Sequence, residues 1–159
     1  MRLIYNKYRN LRSRLVLQFF HGIYGNKFTY KSGTYVRKSF TVVIEDNGGI
    51  EIGRDVFFNN FCSLNSLCHI TIGDNCIFGE NVHIYDHNHL YKDKNIPVNN
   101  QGFSLGTVSI GSNSWIGSNV VILKGVSIGE HCVIGANCVV YKDIPSNSML
   151  LSNNTLKKI

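Results

Sequence analysis

A six-residue beat runs through most of this chain and constrains its fold more than any other feature. Ile52, Phe58, Leu64, Ile72, Phe78 and Ile84 keep one phase, with a single two-residue slip. After a break the beat resumes at Ile110, Ile116, Ile122, Ile128, Ile134 and Val140. Four residues after most of these positions comes a small or β-branched residue, among them Val56, Cys62, Cys76, Val82, Ser114, Val120, Cys132 and Cys138. Six is divisible by the strand side-chain period of two but not by the helical 3.6. On a helix such a marker walks around the cylinder; on short strands it always returns to one side. The pattern predicts an all-β solenoid in which each coil stacks on the last.

The chain of 159 residues is long enough for one domain with a sizeable core. Its net charge of +6 is unevenly spread. Residues 1–40 hold Arg2, Lys7, Arg9, Arg12, Arg14, Lys27, Lys31, Arg37 and Lys38 and no acid, so the repeat itself is acidic. Two readings of this segment stand: a solvated helix face, or contact with an anionic membrane surface or acidic partner. No nucleic-acid partner is expected.

The five cysteines share one position of the repeat, where a small inward residue is wanted. Cys62, Cys68, Cys76, Cys132 and Cys138 therefore read as small buried hydrophobes in a reducing compartment, not as disulfides or a metal site. No apolar run reaches transmembrane length, and Leu15–Phe20 is too short for a signal-peptide core. A cytoplasmic protein is expected, with or without peripheral contact at the inner membrane face.

Residues 1–21 predict a helix, with Ile4, Tyr8, Leu11, Leu15 and Phe19 on one stripe and Gly22 and Gly25 near its end. Residues 26–49 predict a first, imperfect coil, with Asp46–Gly49 as a turn. The division expected is a basic segment 1–40, a β-helix 41–150 and a tail 151–159. Residues 85–107 break the beat and read as a polar loop thrown out from the coil, where functional residues often sit.

These residues resemble the hexapeptide-repeat acyltransferases. The stretch from Val108 to Gly129, then Val133–Ala136, Lys142–Pro145, Ile52–Asn59 and the His-bearing Ile84–His89 all fit that family. The likeness is greatest to galactoside and maltose O-acetyltransferases, streptogramin acetyltransferases and the O-acetyltransferases of capsule and lipopolysaccharide synthesis. It implies a left-handed parallel β-helix, a homotrimer, and acetyl-CoA held along the coils with each active site shared by two subunits.

Acetyl transfer to a hydroxyl needs a base of near-neutral pKa, a donor for the oxyanion, and a groove that delivers the thioester. Histidine suits the first task. His89 matches the catalytic His of the family, and its spacing from Asn59 fits without a gap; His87 competes from two residues away, as an orienting or acceptor-contacting group or a plain surface residue. The resemblance further places Trp115 beside the acetyl donor, the Ser118 backbone N–H on the thioester carbonyl, Asn59 on the acceptor or acetyl group, and Ala136, Tyr141 and Lys142 on CoA. Structural readings compete for Trp115 as a corner hydrophobe, Asn59 as a corner ladder residue and Lys142 as a solvated charge. His83, His87 and His89 cluster in sequence, as in zinc carbonic anhydrases of similar shape, but the Trp115–Ser118 segment and the long polar loop favour acyl transfer without a metal.

Two departures bear on the acceptor. The small-sugar enzymes carry an Asp where this chain has Asn65-Ser66-Leu67, and a Gly-Asn-Pro segment where it has Ser152-Asn153-Asn154-Thr155. The expected function is O-acetylation of a sugar hydroxyl in a glycan precursor. Amino-sugar or antibiotic acetyl transfer is the alternative, and a non-catalytic binding scaffold a remoter one.

Overall fold

The computed structural model describes residues 2–45 and 47–159, with side chains from Lys7 onward. The expected roles of Ile4 in the helix stripe and of Asp46 in the turn lie outside the described residues. Helix α1 (Arg2–Tyr24) leads into a parallel β-helix of about five coils.

Each coil has three sides. The first side stacks β1 (Phe28–Tyr30), β4 (Ile50–Ile52), β7 (Ile70–Ile72), β12 (Val108–Ile110) and β15 (Ser127–Ile128). The second stacks β2 (Tyr35–Val36), β5 (Phe57–Phe58), β8 (Ile77–Phe78), β13 (Trp115–Ile116), β16 (Val133–Ile134) and β18 (Ser148–Leu150). The third stacks β3 (Thr41–Ile44), β6 (Ser63–Ser66), β9 (His83–Tyr85), β14 (Val121–Ile122) and β17 (Val139–Val140). A final antiparallel strand, β19 (Leu156–Lys158), pairs with β18. Residues 26–49 do supply the first coil, in β1, β2 and β3.

The beat is the inward column. Val36, Phe58, Phe78, Ile116, Ile134 and Leu150 follow one another in register and are all buried. Phe58 stacks on Phe78 with ring centroids 4.5 Å apart, and Phe40 leans on Phe58 at 4.9 Å. At the two corners that flank the second side, the residue just before the inward one takes a left-handed backbone. Asn75, Asn81, Asn113, Asn119 and Asn137 do so with φ of 58–62°, a conformation Asn tolerates better than most residues. Their amides then ladder between coils, Asn81 Nδ2 to Asn119 Oδ1 at 3.0 Å and Asn119 Nδ2 to Asn137 Oδ1 at 3.1 Å. The glycine after the beat serves close approach: a Cβ on Gly79 would lie 2.6 Å from the Ser118 nitrogen of the next coil.

The helix stripe read from the sequence faces the wrong way for packing. Ser13 and Leu17 are buried, and Val16, Phe20 and Tyr24 pack on the first coil, with Ser13 Oγ accepting from Val36 N at 2.8 Å. Tyr8, Leu11, Leu15 and Phe19 are left 55–62% exposed on another side, joined by Ile23. Among the described residues no helix is long and apolar enough to cross a membrane.

The thiols divide. Cys62, Cys76, Cys132 and Cys138 are buried, and the thiols of Cys62, Cys76 and Cys132 donate to the carbonyls of Gly79, Gly111 and Pro145 at 3.2–3.3 Å. Burial pushes the Cys62 thiol up to about 11 and raises Cys76 and Cys138 as well. Cys68, expected inward with the rest, is partly exposed, because the two-residue slip falls beside it and Leu67 fills the core there instead. A thiol reagent at mildly alkaline pH is therefore expected to label Cys68 first and the other four only with unfolding; fast native labelling of several sites contradicts the inward column.

Candidate active site

The slip in the beat is a built feature. At the corner after β6, the Leu67 N–H donates to Asp86 Oδ1 at 2.8 Å and the Cys68 N–H to Oδ2 at 2.8 Å. Ser66 Oγ donates to the same Oδ2 at 2.7 Å. Asp86 is wholly buried. Sequence reasoning passed over this residue, yet its parity marks it. Asp86 lies two residues after the inward Ile84, so an extended chain sends an acid into the core, where it needs partners.

Asp86 also begins the excursion. Strands β10 (His87–His89) and β11 (Phe103–Leu105) form an antiparallel ribbon, with His87 opposite Leu105 and His89 opposite Phe103. Its base is closed by the Gly106 N–H donating to the Asp86 carbonyl at 2.8 Å. The expected loop thus has a rigid stem and an irregular tip.

The two candidate bases sit differently on this stem. His87 Nδ1 lies 3.1 Å from Asp86 Oδ1, so its N–H donates to a carboxylate fixed by three other donors. Its side chain is 16% exposed, edge-on to Tyr85 and Phe103. This leaves Nε2 as the nitrogen without a partner among the described residues. His89 is exposed, its ring tilted against Phe103 at 4.5 Å. It opens on a groove of about 680 Å³ shared with Tyr91, Asp93, Gln101 and Lys124.

A second group lines the corner between the second and third sides. Asn59 Oδ1 accepts from Arg37 Nη1 at 3.1 Å and from the Asn60 N–H at 2.9 Å. Asn60 Nδ2 donates to Glu80 Oε1, and the Glu80 N–H to Ser118 Oγ at 3.1 Å. On the neighbouring corner, between the first and second sides, Arg54, Asp74 and Glu130, each following a glycine, donate their N–H to a side-chain oxygen one coil on, and on this corner Glu80 does the same to Ser118. Opposite the Ser118 N–H stands Ala136, which has no acceptor to offer, so that amide is unpartnered among the described residues. Trp115 lies on the adjoining face, 55% exposed. Tyr141 and Lys142 flank a small groove of about 160 Å³ further along, with Lys142 Nζ 5.5 Å from the Tyr141 ring centre.

The chain therefore brings Asn59, Trp115, Ser118 and Ala136 to one edge of the prism and His87 and His89 to another. It does not unite them within one chain. Nor do the three histidines converge: His83 is held by Ser63 Oγ at 2.6 Å and Asn81 Oδ1 at 3.0 Å. Among the described residues no group of three or more His, Cys, Asp or Glu is placed to hold a metal.

Residues 107–142 match the family described as bacterial transferase hexapeptide (six repeats), and residues 69–84 the hexapeptide repeat of succinyl-transferase. A maltose O-acetyltransferase from Clostridium difficile 630 is 30% identical and superposes with a TM-score of 0.65 over 96% of this chain and 85% of its own. The chain belongs to the hexapeptide-repeat acyltransferase family. A galactoside acetyltransferase in complex with coenzyme A is 28% identical, with a TM-score of 0.71 over 96% of this chain and 80% of that one. A Schizosaccharomyces pombe acetyltransferase-like protein is 38% identical over 105 residues, 65% of this chain. The chain spans about half the length of that relative, and 39% of the Rhizobium leguminosarum nodulation protein L, to which it is 40% identical over 77 residues. The fold is the family's left-handed parallel β-helix.

Removing the buried carboxylate leaves the Leu67 and Cys68 N–H groups and the His87 Nδ1–H without this acceptor, while Ser66 Oγ keeps the Gly49 carbonyl at 3.0 Å; each lost acceptor costs about 1–3 kcal/mol. Asp86→Ala is expected to lower unfolding stability in urea by several kcal/mol on the same basis, while Asp86→Asn, which keeps an oxygen, loses less. Equal, small losses in both would show that the corner does not depend on this carboxylate.

Proposed function

We propose that the protein is an acetyl-CoA-dependent O-acetyltransferase acting on a sugar hydroxyl in the synthesis of a surface glycan. The observation that carries this reading is the buried Asp86 that fixes the ring of His87. A neutral imidazole with Nδ1–H tied to a carboxylate presents a basic Nε2 and gains stability as it becomes imidazolium. In the reaction, Nε2 takes the proton of the acceptor hydroxyl as its oxygen attacks the thioester carbonyl carbon. The oxyanion formed is met by the unpartnered Ser118 N–H. Collapse breaks the carbon–sulfur bond, and the imidazolium returns the proton to the leaving CoA thiolate. The sequence pattern pointed to His89 as the base; the carboxylate partner favours His87, with His89 on the groove as an acceptor contact. Trp115 and Asn59 border the acetyl group, and Ala136, Tyr141 and Lys142 lie toward CoA.

The separation of the two residue groups supports a site made by neighbouring subunits of a homotrimer. So does the outward row of the second side, Tyr35, Phe57, Ile77, Trp115, Val133 and Met149. This row is apolar throughout and continuous in register. The outward row of the first side, Thr29, Glu51, Thr71, Ser109 and Ser127, is polar. Shape and composition thus set one face aside for a partner copy and one for water.

The exposed stripe of α1 carries Lys7 and Arg14 to one side and Arg9 and Arg12 to the other, in a segment with no acid. This is the composition of a helix that lies on an anionic lipid surface. A glycan precursor held at the inner membrane face would bring the enzyme there.

His87→Ala is expected to lower turnover roughly 10²–10⁴-fold with acetyl-CoA binding retained, and His89→Ala to act mainly on acceptor KM. The reverse pattern moves the base by two residues; normal turnover in both removes the histidine mechanism. Co-refolding inactive His87→Ala with inactive Trp115→Ala chains should restore part of the activity, because some interfaces then hold both intact groups. No recovery means that the site is not shared. An acceptor screen that includes amino sugars tests hydroxyl against amine.

The membrane reading has its own check. Binding to vesicles containing anionic lipid should exceed binding to neutral ones and weaken with salt, and Leu15→Glu with Phe19→Glu should abolish it. Equal affinity for both vesicle types rejects it.

A further inference from the structure

Beside Asn59, between α1 and the first two coils, lies a cleft of about 320 Å³. Arg9, Arg12, Arg37 and Lys38 line it, with Tyr8, Tyr35 and Asn60, and no carboxylate does. A neutral oxygen accepts from each of its three guanidinium groups. Arg9 Nε donates to the Tyr35 hydroxyl at 3.0 Å, Arg12 Nη2 to the Arg37 carbonyl at 3.1 Å and Arg37 Nη1 to Asn59 Oδ1 at 3.1 Å. Arg9 lies over the Tyr35 ring and Arg37 over Phe57, two rings that stack in parallel at 5.8 Å. Arg37 Nε is buried and has no hydrogen-bond partner among the described residues. Glu80 does not line the cleft but accepts from the lining residue Asn60, through Nδ2 at 2.8 Å.

Four cations brought together repel one another, and a buried N–H without an acceptor adds a further cost. Such a cleft is pre-organised for a ligand with several anionic oxygens, since arginine forks match phosphate oxygens and aromatic stacking holds them in place. The cleft is also placed for the acceptor and not for the donor. It lies at the level of β2 and β5, next to Asn59. Ala136, Tyr141 and Lys142 lie at the level of β16 and beyond, about four strand spacings or ~19 Å along the axis. Asn59 and Ser118 stand between, linked through Asn60 and Glu80 on one corner. At that corner Phe61 is 57% exposed in a left-handed backbone (φ 64°), its N–H bonded to the Lys38 carbonyl. A bulky side chain is rare in that conformation, and this one offers a flat surface beside the cleft.

We propose that this cleft is a phosphate subsite that binds the phosphate or diphosphate carried by the acceptor, so that the substrate is a phosphorylated sugar, not a free one. The proposal rests on the acyl-transfer reading for its role but not for its chemistry. The anion enters at the helix end, Arg37 completes its hydrogen bonding through Nε, and the sugar extends past Asn59 toward Ser118. The phosphate can belong to a soluble nucleoside diphosphate or to a lipid diphosphate, and the two share the same recognition.

The first test is calorimetric titration of the full chain with inorganic pyrophosphate. Binding should weaken with added salt and drop about tenfold or more in Arg37→Gln and in Lys38→Gln, the loss of one charge-assisted hydrogen bond each. Arg37→Lys should recover only part of it. Lys38 is exposed, so its variant remains informative if Arg37→Gln fails to fold. Absence of pyrophosphate binding, affinity unchanged in both Gln variants, or full competition by acetyl-CoA overturns the subsite. The second test compares kcat/KM for one hexose, free and linked to a nucleoside diphosphate. The linked form should be preferred, and that preference should fall about tenfold in Lys38→Gln; a preference unaltered by the substitution overturns the role. Presenting the same hexose on a lipid diphosphate in vesicles separates the two sources. If no acetyl transfer is found with any acceptor but pyrophosphate binding still collapses in the variants, the subsite stands and the acyl-transfer reading fails.

Discussion

Each coil of this solenoid completes its backbone hydrogen bonding only on the coils before and after it. Gly53 donates to Ile72, Gly73 to Ile110 and Gly111 to Ile128, and the same ladder runs down the other two sides. Everything else depends on this register. It stacks the inward apolar residues in columns, it brings backbone so close that a Cβ on Gly79 has no room, and it lets a corner be described by which residues lie above one another. The candidate site is read from those columns. Ser118 has an unpartnered amide only because the register sets Ala136 opposite it.

Much of this was legible beforehand because a period of six leaves few alternatives. The inward positions, the small corner residues and the break at residues 85–107 follow from parity alone, since a strand sends alternate side chains to alternate faces. What parity does not reveal is which side of an element meets a partner. The stripe Tyr8, Leu11, Leu15 and Phe19 was a correct sign of a helix and no guide to its packing. A helix over a coil end needs only a narrow contact, and Ser13, Leu17 and Phe20 supply it. Cys68 failed for a related reason. One inserted pair of residues changes what fills the core, and Leu67 is the larger apolar neighbour.

The candidate site could be named from the sequence as single residues and not as an arrangement. His87, His89, Asn59, Trp115 and Ser118 were each proposed from the motifs that resemble the family. Their grouping onto separate edges depends on coil lengths. Partners lie 22 residues apart in the first pair of coils, 20 in the next and 18 later, with 38 across the ribbon. Asp86 is the instructive omission. A single acid at an inward parity position carries more information than three histidines close in sequence, because burying it forces the fold to supply donors. Here those donors make the corner, and the remaining lone pair orients an imidazole.

The two ends of the stack are made unlike each other and unlike its middle. Helix α1 lies across the first coil, and at the far end β19 runs antiparallel to β18 with Lys157 and Lys158 on it. A column of parallel rungs is otherwise a template without a stop, since each terminal rung offers unpaired N–H and C=O groups to any similar strand. On the second side, reversing the last strand and charging it changes that template at one end, and the helix lies across the first coil at the other. The same hydrogen bonding that builds the column is thereby made harder to extend along that side.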